Sequence, residues 1–188
     1  GCTGYIYGLF LAKKLIDNKS IKNVLLLTGD TYTKIINPMD ANVATLFGDG
    51  ASASIIAPSL ENECIGSFEF GTDGSKSNLL RCDYAGFKKS IKNWDSLFMD
   101  GPNILAFTLS SIPKAINAYL QNTNSSLEDF DFVILHQANK FILERLYKKL
   151  GISNKGIICL EECGNTVSSS IPIALEKYMN KNNNEVLN

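Results

Sequence analysis

The chain has 188 residues, 45% of them hydrophobic, with 18 basic and 19 acidic side chains and a formal net charge of -1. That length supports one sizeable core or two small ones, and the balanced charge excludes the basic surplus that counterion-driven binding to nucleic acid or an anionic membrane requires. Five cysteines, at positions 2, 64, 82, 159 and 163, form no dense even-numbered disulfide framework; with no visible secretory leader and no apolar run of roughly 20 residues, a reducing cytoplasmic setting is expected, with no nucleic-acid or membrane partner.

Apolar residues at helical intervals, Tyr5, Leu9, Ala12, Leu15 and Ile16, predict a helix over 5–17 that ends at Asp17-Asn18. The short apolar run 23–28, closed by Gly29-Asp30, predicts a strand buried on both faces, and 52–57 a second strand after Gly48-Asp49-Gly50. A third strand is expected at 64–70. The polar stretch 75–94, with Lys88, Lys89 and Lys92, reads as a long surface excursion. Leu105, Leu109, Ile112, Ile116 and Tyr119 mark an amphipathic helix despite Pro113 within it. Beyond it come a strand at 132–135, a helix at 140–150, a strand at 157–160 and a helix over about 168–179. Strands alternating with helices predict an α/β fold with a largely parallel sheet, and the asparagine-rich 180–188 a frayed or cut terminus.

Three chemically capable residues stand at element ends, where α/β proteins place active groups. Cys2 precedes the first helix, where backbone N–H groups and the helix dipole favour thiolate and can bring a thiol pKa to about 3.5–7.5. His136, the single histidine of the chain, follows the 132–135 strand. Asn165 precedes the last helix, with Thr166 and three serines close behind. Taken singly, each has an ordinary structural reading: a small buried thiol, a satisfied core imidazole, part of a helix cap.

Together they carry a resemblance. CTGYIYGL, LFGDGASASII, LHQANKFILERLYKKLGI and ECGNTVSSSIPIAL are similar, in order and spacing through nearly the whole chain, to the β-ketoacyl-acyl carrier protein synthase III family. The resemblance implies a thiolase-like layered α-β-α-β-α fold, incomplete in this chain, with 1–60 forming the later part of the first half and 61–188 most of the second. It also implies a homodimer, no metal or redox cofactor, and a triad falling on Cys2, His136 and Asn165. The implied reaction is decarboxylative Claisen condensation of an acyl thioester, on coenzyme A or a carrier protein, with malonyl-acyl carrier protein. Relative to the family the chain looks like a fragment, without an N-terminal stretch and a glycine-rich end.

Several positions depart from the family pattern. Ala41 stands where the family has a coenzyme A-binding arginine, and Lys140-Phe141 where the family commonly has, two residues beyond HQAN, an arginine for carrier-protein docking. These changes suggest a specialised paralogue with an unusual acyl donor. Gln137, Asn139, Lys140, Arg145, Lys148 and Lys149, with Lys155, form a candidate surface for the acidic carrier protein or its phosphopantetheine arm; an ordinary solvated helix face is an equal reading. Gly48-Asp49-Gly50 lacks the lysine and spacing of a phosphate loop and reads as a tight turn. Asp49 and Asp73 read as turn residues, and Cys159 and Cys163 as unbridged thiols. Acyl transfer or head-to-head acyl-CoA condensation on the same triad, and a non-catalytic acyl-binding or dimer-scaffold module, are the alternatives.

Overall fold

The computed structural model describes residues 1–19, 21–59, 64–82 and 97–181. Helix α1 (Gly4–Asp17) buries Tyr5 and Ala12, as the helical spacing predicts, against strands β1 (Val24–Asp30) and β2 (Gly50–Ile56). These strands pair antiparallel from Val24 opposite Ile56 to Asp30 opposite Gly50. Two expectations are thereby corrected: the pairing is not parallel, and β1 is not buried on both faces. Leu25, Leu27 and Ile55 are 60%, 65% and 78% exposed, while the alternate residues face inward. A continuous apolar run states that both faces are oily, not that both are covered.

The connection between these strands holds a 3-10 turn at Tyr32–Lys34 and the short helix α2 (Ala41–Ala44), whose Val43 is fully buried. The strand expected at 64–70 does not form. The segment lies across α1 instead, with Phe68 and Phe70 edge-on to Phe10 at 5.4 and 5.2 Å and Phe70 against Tyr7 at 4.4 Å. Aromatic packing on a helix outweighs a ladder there. A 3-10 turn at Gly74–Leu79 leads into β3 (Leu80–Cys82), which pairs antiparallel with β4 (Leu97–Met99). Lys88, Lys89 and Lys92 lie outside the described residues.

Helix α3 (Gly101–Thr123) starts from the Asp100 cap, whose side chain accepts from the Asn103 N–H. Pro113 sits inside it and has no N–H for the Leu109 carbonyl four residues back. That carbonyl accepts instead from Lys149 Nζ at 2.7 Å, a lysine of helix α4 (Lys140–Leu150). Helix α4 is capped by Asn139, whose Oδ1 accepts from the Ile142 N–H, and ends on Gly151 at φ 73°. It buries Ile142, Leu143, Leu146 and Tyr147, of which Leu143 and Tyr147 form a core with Ile152, against which Val133, Leu135, Ile158 and Leu160 pack.

The strands expected at 132–135 and 157–160 reduce to one isolated parallel bridge, Val133 with Gly156. Side chains take the carbonyls that a ladder would use. Gln137 Nε2 donates to Leu135 and Ile157 at 2.7 and 3.2 Å, and the Tyr147 hydroxyl lies 2.8 Å from the Ile157 carbonyl. Parallel pairing recurs only at Phe47 with Asn165 among the described residues. A 3-10 turn at Val167–Ser169 then enters helix α5 (Ser170–Lys181).

Candidate active site

The site is built on the 163–170 turn. Gly164 (φ 60°) and, unusually for a β-branched residue, Val167 (φ 55°) both adopt left-handed backbone. The turn is held from several directions. Asn165 donates its N–H to Leu46 and accepts from the Gly48 N–H, at 2.9 and 3.0 Å. A Cβ on Gly48 would fall 2.0 Å from the Cys163 carbonyl oxygen, and one on Gly50 2.7 Å from Thr166. The small residues of GDGA therefore admit this turn, in keeping with their reading as a packing device. Asp49 accepts from the Thr33 N–H and hydroxyl, which hold its carboxyl below the usual range. Asp73 does the same with Ser75. Both serve turns.

The three serines each take a partner far away along the chain. Ser168 donates its N–H, at 3.0 Å, and its hydroxyl to the Asp30 carboxylate at the end of β1. Ser169 meets Thr28 Oγ1 at 2.8 Å and donates to the Gly50 carbonyl at 3.3 Å. Ser170 meets His136 Nδ1 at 2.7 Å. Neither Asp30 nor Ser170 stands out in the sequence. The available signal is a serine run entering an apolar helix, where buried hydroxyls persist only when partnered.

Of the expected triad, Asn165 lies in this turn, His136 bonds to it, and the residue next to Cys2 packs against it. Asn165, 5% exposed, accepts the Val167 N–H on Oδ1 at 2.9 Å, which leaves its Nδ2 without a partner among the described residues. Gly1, next to Cys2, packs so closely that an added Cβ would lie 2.9 Å from Val167 Cγ1 and 3.3 Å from the Tyr32 hydroxyl. His136 reaches the turn through Ser170, and its Nε2 has no partner among the described residues.

Electrostatics correct one expectation. Burial pushes the Cys2 thiol up and outweighs the Gly1 ammonium and the backbone N–H that favour thiolate, with Asp30 adding a smaller upward push. Cys2 precedes the Thr3 cap rather than sitting in the first helical turn, so desolvation wins over the dipole. Burial also pushes His136 down to about 4. At neutral pH the pair is thiol and neutral imidazole. The Tyr32 phenol near Cys2 is pushed up, by burial first and by Cys2 second.

The candidate carrier surface divides. Gln137 is corrected: it is 1% exposed, and its amide is spent on Leu135, Ile157 and the Cys159 N–H. It staples two extended segments and cannot face a partner. Asn139 Oδ1 is committed to capping α4. Lys155 is also corrected, since Nζ turns to the carbonyls of Leu127, Glu128 and Phe130 at 3.1, 3.2 and 2.8 Å. Lys140, Arg145, Lys148 and Lys149 are exposed on α4; Arg145 lies over Phe141 at 4.3 Å, and Lys149 fills the carbonyl orphaned by Pro113. Ala41 is exposed at the start of α2. Cys159 and Cys163 are half-buried and unbridged.

Family models place residues 1–74 in 3-oxoacyl-(acyl-carrier-protein) synthase III and 120–186 in the C-terminal part of the same family. The chain is 34% identical over 94% of its length to the β-ketoacyl-(acyl-carrier-protein) synthase III of Lactococcus lactis subsp. lactis, covering 56% of that relative. It is 35% identical over 96% of its length to the enzyme of the same name from Clostridium novyi, covering 57% of it. A crystal structure of a 3-oxoacyl-(acyl-carrier-protein) synthase III matches 99% of the chain at 41% identity with a TM-score of 0.90, the chain covering 60% of that protein. The fold is thus the thiolase-like α/β kind, and the chain spans somewhat more than half the length of these relatives.

Proposed function

We propose that this chain, which belongs to the 3-oxoacyl-(acyl-carrier-protein) synthase III family, carries the acyl-transfer and condensing site of a β-ketoacyl synthase. The observation that supports the reading is one strained turn that holds Asn165, bonds His136 through Ser170 and packs against the residue next to the half-buried Cys2, while Asn165 Nδ2 and His136 Nε2 have no partner among the described residues. Cys2 attacks the carbonyl of an acyl-CoA or acyl-carrier thioester. The bond to the leaving thiol breaks, and the Cys2 proton ends on that thiol. A malonyl thioester on the carrier protein then loses carbon dioxide. The electron pair passes into an enolate whose oxygen accepts from His136 and Asn165. The enolate carbon attacks the acyl-Cys2 carbonyl, forming the β-ketoacyl product and returning Cys2 as thiolate, which takes a proton from water. Both donors are neutral at pH 7, so they stabilise the developing charge by hydrogen bonds rather than by a net positive charge.

Lys140, Arg145 and Lys148 are proposed to meet the acidic carrier protein, with coenzyme A or phosphopantetheine thioesters as substrates and no resident cofactor. The exposure of these three cations on one helix supports this reading. A cytoplasmic homodimer and a division near residue 60 between the two thiolase-like halves complete the proposal. Intact-mass analysis after incubation with acyl-CoA tests it: a single acyl adduct on Cys2, lost in Cys2→Ala, followed by carbon dioxide release when malonyl-carrier protein is added. An adduct on another cysteine, or turnover without carbon dioxide, overturns the reading.

A further inference from the structure

Ser170 opens α5 and is 2% exposed. Its Oγ has two partners among the described residues, His136 Nδ1 at 2.7 Å and the Gln137 backbone nitrogen at 3.3 Å. The backbone N–H can only donate, so it occupies an Oγ lone pair. The hydroxyl hydrogen still needs an acceptor, and in this buried position His136 Nδ1 is the one in reach. A neutral imidazole that accepts on Nδ1 must carry its proton on Nε2.

We propose that Ser170 is a positioning residue that fixes His136 as the Nε2–H tautomer, making it an obligate hydrogen-bond donor toward substrate rather than a base toward Cys2. The inference rests on the condensing function proposed above. It goes further by assigning the direction of every proton around the ring. The loop bearing His136 is rigid enough for this, because the Gln137 side chain ties it to Leu135, Ile157 and Cys159 while its N–H orients Ser170. The facing groups do not compete for the ring proton: Gln137 N–H is a donor, and Asn165 Oδ1 is engaged by Val167. Burial, which keeps the ring neutral down to about pH 4, makes the tautomer the only variable left. The consequence for Cys2 is that a neutral ring accepting on Nδ1 has no nitrogen lone pair left to take the thiol proton, which leaves on the departing thiol or to water.

Nitrogen-15 NMR of the histidine-labelled full chain tests this directly, with the His136 signal identified by its loss in His136→Gln. The wild-type ring is expected to show a protonated Nε2 and an unprotonated, hydrogen-bonded Nδ1 at pH 7. Ser170→Ala is expected to shift the ring toward Nδ1–H and to lower kcat for malonyl-thioester decarboxylation about 10–100-fold with little change in KM, as loss of a histidine's orienting partner does. Ser170→Thr, which keeps the hydroxyl, is expected to restore both. A wild-type ring protonated on Nδ1, or a Ser170→Ala ring that stays Nε2–H at an unchanged rate, overturns the assignment. If Ser170→Ala fails to fold, the wild-type tautomer alone decides. Wild-type protein that never releases carbon dioxide overturns the functional reading, while the tautomer still reports on Ser170 separately.

Discussion

Helix α4 and the 163–170 turn both rest on buried side chains, but they are held by opposite means. Helix α4 draws on itself: a local asparagine cap, an apolar face spaced for a helix, and a left-handed glycine at its end. The turn draws on everything around it. Its left-handed Val167 is pinned by Asn165 on one amide and by Asp30 on the next, and its close approach to the 48–50 segment exists because those positions lack a Cβ. A self-sufficient element can display charges to a partner and tolerate their exchange. An element assembled from distant partners can hold unspent donors in a fixed, strained geometry, as a site for a transient charge requires.

Breaking the turn is expected to have the largest effect. Gly48→Ala places a methyl 2.0 Å from a backbone oxygen that cannot step aside, and should cost about 3 kcal/mol or more in urea unfolding. Acidification comes next. Because His136 has its folded-state pKa depressed from 6.5 to about 4, its contribution is complete above pH 6.5 and is lost as pH falls from there through about 4. The unfolded chain binds the proton first. A loss on the order of 2–3 kcal/mol, absent in His136→Gln, is the expected urea-midpoint result.

Asp30→Asn tests whether charge as well as shape secures the turn. It weakens two charge-assisted bonds from Ser168 and should cost about 2 kcal/mol, while the Cys2 alkylation profile moves to lower pH because Asp30 no longer opposes the thiolate. Helix α4 should give less. Lys149→Ala should cost about 1 kcal/mol and nothing in a Pro113→Ala background, where the Leu109 carbonyl regains a backbone donor. Lys148→Ala should change stability by less than about 0.5 kcal/mol yet raise KM for the carrier-linked substrate. Equal stability costs at Gly48 and Lys148 would erase the distinction between the two regions.

Helices α1 and α3 were legible in the sequence because helical periodicity is a property of neighbours along the chain. So were β1 and β2 as strands. Their antiparallel pairing, and the exposure of Leu25 and Leu27, were not, since apolar composition says nothing about which face another element covers. The strands expected at 132–135 and 157–160 were displaced by the Gln137 and Tyr147 side chains, whose competition for carbonyls no local pattern reveals.

The sequence by itself determined the residue types of the site and their order: a thiol before a helix, one imidazole after an apolar segment, and an amide before a serine run. Tertiary structure alone decided their chemical states. Desolvation, not the helix dipole, governs Cys2, and a hydroxyl from α5 faces the His136 ring. Both effects depend on what surrounds a group after folding, and burial and hydrogen-bond partners come from residues that lie far away along the chain.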